Sequence, residues 1–215
     1  MLALVLATLF LVMTHLVPSA PGLRPRLVAR WGLHGFRLGY SLLSLAALAW
    51  VVLAYRAADP GLWLYAPPGA ARILAVALMP VALLLILCRL TTPPRGREPV
   101  GIYRITATPG SLGVLLWCGL HLLNLGAVRS LVLFSGMALI AAGAIVANLR
   151  RAPPAWAAIG PVPFAAILAG RERLVWREIG WQRPVAALLL TVMILRLHPL
   201  VIGRDPLAGL IDLGF

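Results

Sequence analysis

The sequence predicts an all-α, polytopic membrane helical bundle of six transmembrane helices with both termini outside the cytoplasm. Three observations predict it. Of 215 residues, 61% are hydrophobic and only 12% are charged, and the mean hydropathy is +0.95, whereas a soluble domain carries about 25% charged residues. Apolar runs approaching the ~20 residues that cross a bilayer core recur along the chain. Nineteen arginines, with no lysine at all, fall unevenly between the loops separating those runs. The length suits one domain, residues 1–215, rather than two.

The first span is 1–17, closed by "PSAPG". No basic residue precedes it, as the n-region of a cleaved signal would require, and arginines follow it, so it reads as a retained first helix. The second span, 38–55, lies between Arg37 and Arg56, and the third, 71–90, between "PPGAA" and "TTPPRG". The fourth, 111–127, and the fifth, 130–148, are joined by a tight turn around Arg129, and "APPAW" closes the fifth. The sixth span is 185–202. Before it, "PVPFAAILAGRERLVWREIGW" alternates short apolar runs with arginines. That pattern reads as an interfacial helix on the cytoplasmic face, or as a structural lid over the bundle.

Arginine counts orient the chain. The first loop holds Arg24, Arg26, Arg30 and Arg37, the third Arg89, Arg95, Arg97 and Arg104, and the fifth Arg150, Arg151, Arg171, Arg173, Arg177 and Arg183, fourteen in all. The opposite side holds four, Arg56, Arg72, Arg129 and Arg204, and Arg196 falls within the sixth span. The positive-inside rule then puts the odd-numbered loops in the cytoplasm. The lysine-free, Ala-, Gly- and Pro-rich composition fits a GC-rich bacterial coding sequence and hence a bacterial inner membrane. The net charge of +13 does not mark a nucleic-acid binder, because the arginines are scattered through short loops without a basic stripe or interleaved aromatics. Membrane lipids are the expected surroundings.

Polar side chains at membrane depth are costly and mark candidate sites. They are His15, Cys118, His121, Asn124, Arg196 and His198, while His34 sits with the arginines of the first loop. Cys118 and His121 are three residues apart and share one helix face. Both residue types can ligate iron, copper or zinc. Equally, a buried cysteine serves as a small hydrophobe, and an intramembrane histidine can bond to a neighbouring helix. Arg196 either snorkels to the interface or meets an anionic cofactor group such as a haem propionate. The six carboxylates, Asp59, Glu98, Glu172, Glu178, Asp205 and Asp212, all lie in loops or near the C-terminus. No paired carboxylate, nucleophile elbow, P-loop or HExxH helix is present, which argues against metal-dependent hydrolysis. Cys88 and Cys118 form neither a disulfide framework nor a zinc pattern. Chemistry inside such a bundle falls to histidine, cysteine and a bound cofactor, and two histidines from different helices suit a haem.

Four blocks, "GIYRIT" followed by Pro109, "GVLLWCGLH", "VPFAAILAGR" and "HPLVIG", together with His15 and "YSLLSLAALAW", span nearly the whole chain in one order. In these the chain resembles the NnrU family, named for bacterial denitrification clusters and related to zeta-carotene isomerase. The isomerase branch is a haem b protein. The resemblance implies haem-associated histidines at His15 and His121, a metal pair, and a redox-sensitive cysteine at Cys118. Where relatives often read Arg-His-Pro, this chain has Ala107-Thr108-Pro109, so Thr108 replaces the usual histidine.

Depth sets a rival beside that pair. His15 lies near the end of the first span and His121 about ten residues into the fourth, a difference of roughly 10 Å at ~1.5 Å per residue. His198, about thirteen residues into the sixth span, matches His121 better. Two functions from different classes follow from the resemblance. One is a haem b-binding inner-membrane protein of nitrogen-oxide redox metabolism. The other is a haem-dependent cis–trans isomerase of a carotenoid-like, lipophilic polyene. A structural protein in which His121 merely packs is the third.

Overall fold

The computed structural model describes residues 1–19, 22–92 and 98–208. Arg95, Arg97 and Asp212 lie outside the described residues. The described chain is all-α apart from one isolated bridge, Trp63 to Ala127, which ties the second loop to the turn before the fifth span.

Each expected span corresponds to one helix: α1 Leu2–Leu16, α2 Leu23–Ala57, α3 Ala71–Thr91, α4 Pro109–Asn124 and α5 Val128–Arg150. Three short helices follow, α6 Pro154–Ile159, α7 Ala165–Leu168 and α8 Trp176–Ile179, and then α9 Gln182–Ile202. Four of these, α2, α3, α5 and α9, are long and apolar enough to cross a membrane. The chain is a multi-pass membrane protein. α1 has 15 residues and α4 has 16, about 22–24 Å of helix beside a core of about 30 Å.

The second helix begins well before residue 38. α2 has 35 residues, and Gly32, at φ 70° and ψ 164°, breaks it. At ~1.5 Å per residue a straight helix of that length would far exceed the bilayer core. The kink separates about two and a half arginine-bearing turns (Arg24, Arg26, Arg30) from the apolar stretch that follows. Hydropathy locates only the apolar stretch, whereas backbone hydrogen bonding continues into the polar part. Gly32 takes a positive φ at little steric cost.

The helices pack in the order α2, α1, α5, α4, α3, α9, each chiefly against its neighbours in that row. Lipid gives no hydrophobic drive between helices, so small residues set the close crossings. At Gly113 of α4 an added Cβ would lie 2.7 Å from the Ala82 carbonyl of α3. Gly136 and Gly143, seven residues apart on α5, receive Thr8 and Leu16 of α1 with no room for a side chain. One buried cluster joins α1 and α2 through Leu4, Ala7, Leu11, Ala47 and Val51, with Val132, Leu133 and Met137 of α5 packed against it. A second lies at the arginine-rich end, where Leu85 and Cys88 of α3 meet Ile102, Tyr103, Trp156 and Ile179.

The fifth loop differs from the expected single interfacial helix. Residues 154–179 form three short helices, interrupted at Gly160 and Gly170, both with positive φ, and at Phe164, φ 63°. Pro161 and Pro163 remove the amide donors that a continuous helix would use. The segment instead folds onto the 3-10 turn Gly101–Arg104 ahead of α4, so it is a cover built of short pieces.

Candidate functional site

α4 carries both residues of the Cys-x-x-His pair. Cys118 is fully buried with a free thiol, and His121, one turn later, is half-buried. The imidazole of His121 stacks on Phe134 of α5, centroids 4.4 Å apart at 20°, and tilts against Trp117 at 4.6 Å. Its Nδ1 is 2.8 Å from the Trp117 carbonyl. A carbonyl only accepts, so Nδ1 carries the proton and Nε2 presents a lone pair. Metal-bound histidines hold their second ring nitrogen on a carbonyl or carboxylate in the same way.

The other histidines lie at different levels. Leu16 of α1 reaches α5 at Gly143, nine residues beyond the Phe134 that stacks on His121. His15 therefore sits about 12 Å from His121 along the bundle. Its Nδ1 is 2.9 Å from the Leu11 carbonyl, and its ring meets the edge of Tyr40 on α2 at 6.1 Å. The structure does not bring His15 and His121 to one level.

His198 fits better. Arg183 Nε donates to Thr91 Oγ1 at 2.8 Å, which levels the start of α9 with the end of α3. Asn124 Nδ2 donates to the Ala71 carbonyl at 3.0 Å, which levels the end of α4 with the start of α3. Counting along both helices puts His198 and His121 at nearly one height beside α3. His198 Nδ1 is also held on a carbonyl, that of Arg204, at 2.7 Å. Each imidazole thus keeps Nδ1 on a carbonyl and leaves Nε2 for another partner. Arg196 is exposed and, two residues from His198, points about 200° away around α9. Asn124 also bonds the Leu120 carbonyl and ties α4 to α3. Among the described residues no three of His, Cys, Asp and Glu gather to hold a bare metal ion.

At the opposite end of α4 the structure assembles residues that sequence reading treated separately. Arg104 donates to Glu178 Oε2 at 2.8 Å and to Glu172 Oε1 at 2.7 Å. The Gly101 N–H donates to Glu178 at 2.6 Å. Thr106 Oγ1 donates to the Pro161 carbonyl, the Ala107 N–H to Gly160 and the Phe164 N–H to Ile105. The block "GIYRIT" is thus fastened to "VPFAAILAGR" through Phe164 and to the residues on either side of that block, Pro161, Glu172 and Glu178. Hydrogen bonding from Arg104 and then from the Gly101 N–H holds the Glu178 carboxyl below its ordinary value, and the bonds that Arg104 makes to Glu178 and Glu172 keep it protonated. Burial, chiefly, pushes the Tyr103 hydroxyl up. One sequence signal pointed here: two of only six carboxylates sit in the arginine-richest loop.

In comparisons with known proteins, residues 3–206 match the family model described as NnrU protein. No curated protein and no solved structure matches the chain.

Proposed function

The chain belongs to the NnrU family, and from that premise we propose that it is a haem b-binding protein of the bacterial inner membrane serving nitrogen-oxide (denitrification) redox metabolism. The observation that carries the reading is His121, whose Nδ1 is fixed on the Trp117 carbonyl while Nε2 is presented. His198, at the same height, would hold the haem together with His121, and His15 is the partner that the family resemblance implies. A b-type haem held there would supply one-electron redox chemistry at the edge of the bundle. Phe134 and Trp117 fix the plane of His121 and shield it from water.

In this reading α1 and α4 cross with the four long helices, giving six spans with both termini outside. The fourteen-to-four arginine division supports that orientation. Reporter fusions at Pro154 should read cytoplasmic and those at Gly61 periplasmic; the reverse would overturn the orientation. The cofactor is tested by the absorption spectrum of protein purified in detergent from haem-replete cells. A Soret band is expected, and a preparation still colourless after haem reconstitution would leave His121 a packing residue.

A second reading, cis–trans isomerisation of a carotenoid-like polyene, is favoured by Cys118, which lies one turn from His121 and is fully buried. It separates from the first by one measurement. Cells making a cis-polyene would convert it only when the protein is present, whereas the redox reading expects no change in isomer composition.

A further inference from the structure

A cavity of about 320 Å³ lies at the arginine-rich end, far from His121, between the ends of α3, α4 and α5 and the cover. It is near the lower size limit of small-molecule pockets. Arg89, Thr108, Gly110, Ser111, Arg151 and Trp156 line it. Among its described lining residues there is no carboxylate.

α4 starts at this wall. Thr108 is its N-cap residue, yet makes no capping hydrogen bond, and Pro109 occupies the first turn. A threonine at this position ordinarily accepts from the second or third helical N–H. Here the N–H groups of Gly110 and Ser111 are among those for which a helix supplies no internal partner. Thr108 is 4% exposed and its Oγ1 has no hydrogen-bond partner; Trp156 is 6% exposed and its Nε1 has none either. A buried polar atom left unmatched is costly, so two around one cavity call for a shared acceptor. Arg89 is laid across the helix start because position 110 is glycine: a Cβ there would come within 2.6 Å of its Cγ. Tyr103, also in the wall, donates its hydroxyl to the Thr92 carbonyl at 2.8 Å, and the Arg89 guanidinium brings five donors.

We propose that this cavity binds a phosphate group. The donors are a threonine hydroxyl, an indole N–H, backbone N–H groups at a helix N-terminus and guanidinium N–H. They come from several directions and outnumber the acceptor sites that a carboxylate's two oxygens present. A tetrahedral phosphate matches them, and the helix N-terminus adds its partial positive charge. The group belongs either to an anionic phospholipid headgroup entering from the adjacent leaflet or to a soluble phosphate ester.

The test uses the full chain in detergent, with native mass spectrometry to count adducts. Phosphatidylglycerol and inorganic phosphate are the probes, and phosphatidylcholine is the zwitterionic control. One saturable phosphatidylglycerol adduct is expected, weakened at least tenfold by Arg89→Gln and severalfold by Thr108→Val and by Trp156→Phe. Arg196→Gln, on the exposed face of α9, should leave it unchanged. The threonine and tryptophan variants keep shape and remove one donor each, so they decide the matter even where Arg89→Gln fails to fold. Competition by inorganic phosphate at millimolar concentration assigns the site to soluble phosphates; an adduct that resists it assigns the site to lipid. Equal binding by wild type, Thr108→Val and Trp156→Phe, or binding of neither probe, overturns the proposal.

Discussion

At its start, α4 emerges from Thr108 and Pro109 beneath a cover fastened by Arg104 to Glu172 and Glu178. Twelve residues on, His121 is held by a stack on Phe134, a tilt on Trp117 and one hydrogen bond to its own helix. Water reaches the first end, so charges there can be paired at moderate cost and their partners selected by charge. The second end is apolar, where an unpaired charge is costly and a neutral imidazole positioned by aromatic faces is the affordable polar group. The difference teaches that one helix can carry two sites with separate sensitivities: the fastening should respond to pH and charge, the histidine end to shape and ligands.

The largest expected break is at the histidine end. His121→Ala should abolish haem binding or turn a low-spin spectrum high-spin, and His198→Ala should do the same where height decides the pair. His15→Ala, about 12 Å away along the bundle, should leave the Soret band in place. Loss of the band in His15→Ala but not His198→Ala would restore the pair that the family resemblance implies. None of the three should change proteolysis of the cover.

Gly113→Val acts between the ends. The added Cβ would meet the Ala82 carbonyl at 2.7 Å and the Ile86 side chain at 2.9 Å, an overpacking that costs about 1–3 kcal/mol. Thermal denaturation should show a lower midpoint, with both ends affected together. An unchanged midpoint would mean that the α3–α4 crossing can open without loss.

Arg104→Gln leaves Glu172 and Glu178 without their cation. With these side chains 16–31% exposed, the loss is about 1–2 kcal/mol. Protease cleavage within residues 160–180 should accelerate while the haem spectrum stays unchanged. Acid should act more gently on the same place. The folded pKa of Glu178 lies below its ordinary value of 4.5, so its contribution is full above that value and declines as pH falls through the folded pKa. Cover cleavage by an acid-active protease should therefore rise only below about pH 4.5, and in Arg104→Gln this pH dependence should flatten.

The smallest effect belongs to Cys118→Ala, which should leave the reduced spectrum largely intact and alter the oxidised one, because thiolate favours ferric over ferrous iron. Spectra identical to wild type in both states would make Cys118 a packing residue.

The sequence by itself determined the class and the helices. Apolar runs between prolines and glycines locate all six long elements to within a few residues, except at α2, because burial in lipid is a one-dimensional property that each segment carries alone. It also singled out His121, since a polar group amid leucines stands out without knowledge of its neighbours. Only the tertiary structure decided which groups meet. Arg104 and Glu178 are 74 residues apart in the chain, and nothing local to either marks the other as its partner. In the sequence the family resemblance points to His15 as the companion of His121, and depth along the spans points to His198. The height of each is set by where glycines let α1 seat on α5 and by where Arg183 ties α9 to α3. The cavity at Thr108 depends on three helix ends and a folded loop converging. Periodicity reports which face of a helix is apolar, but the register between helices comes from close contacts between residues distant in sequence, and those exist only in three dimensions.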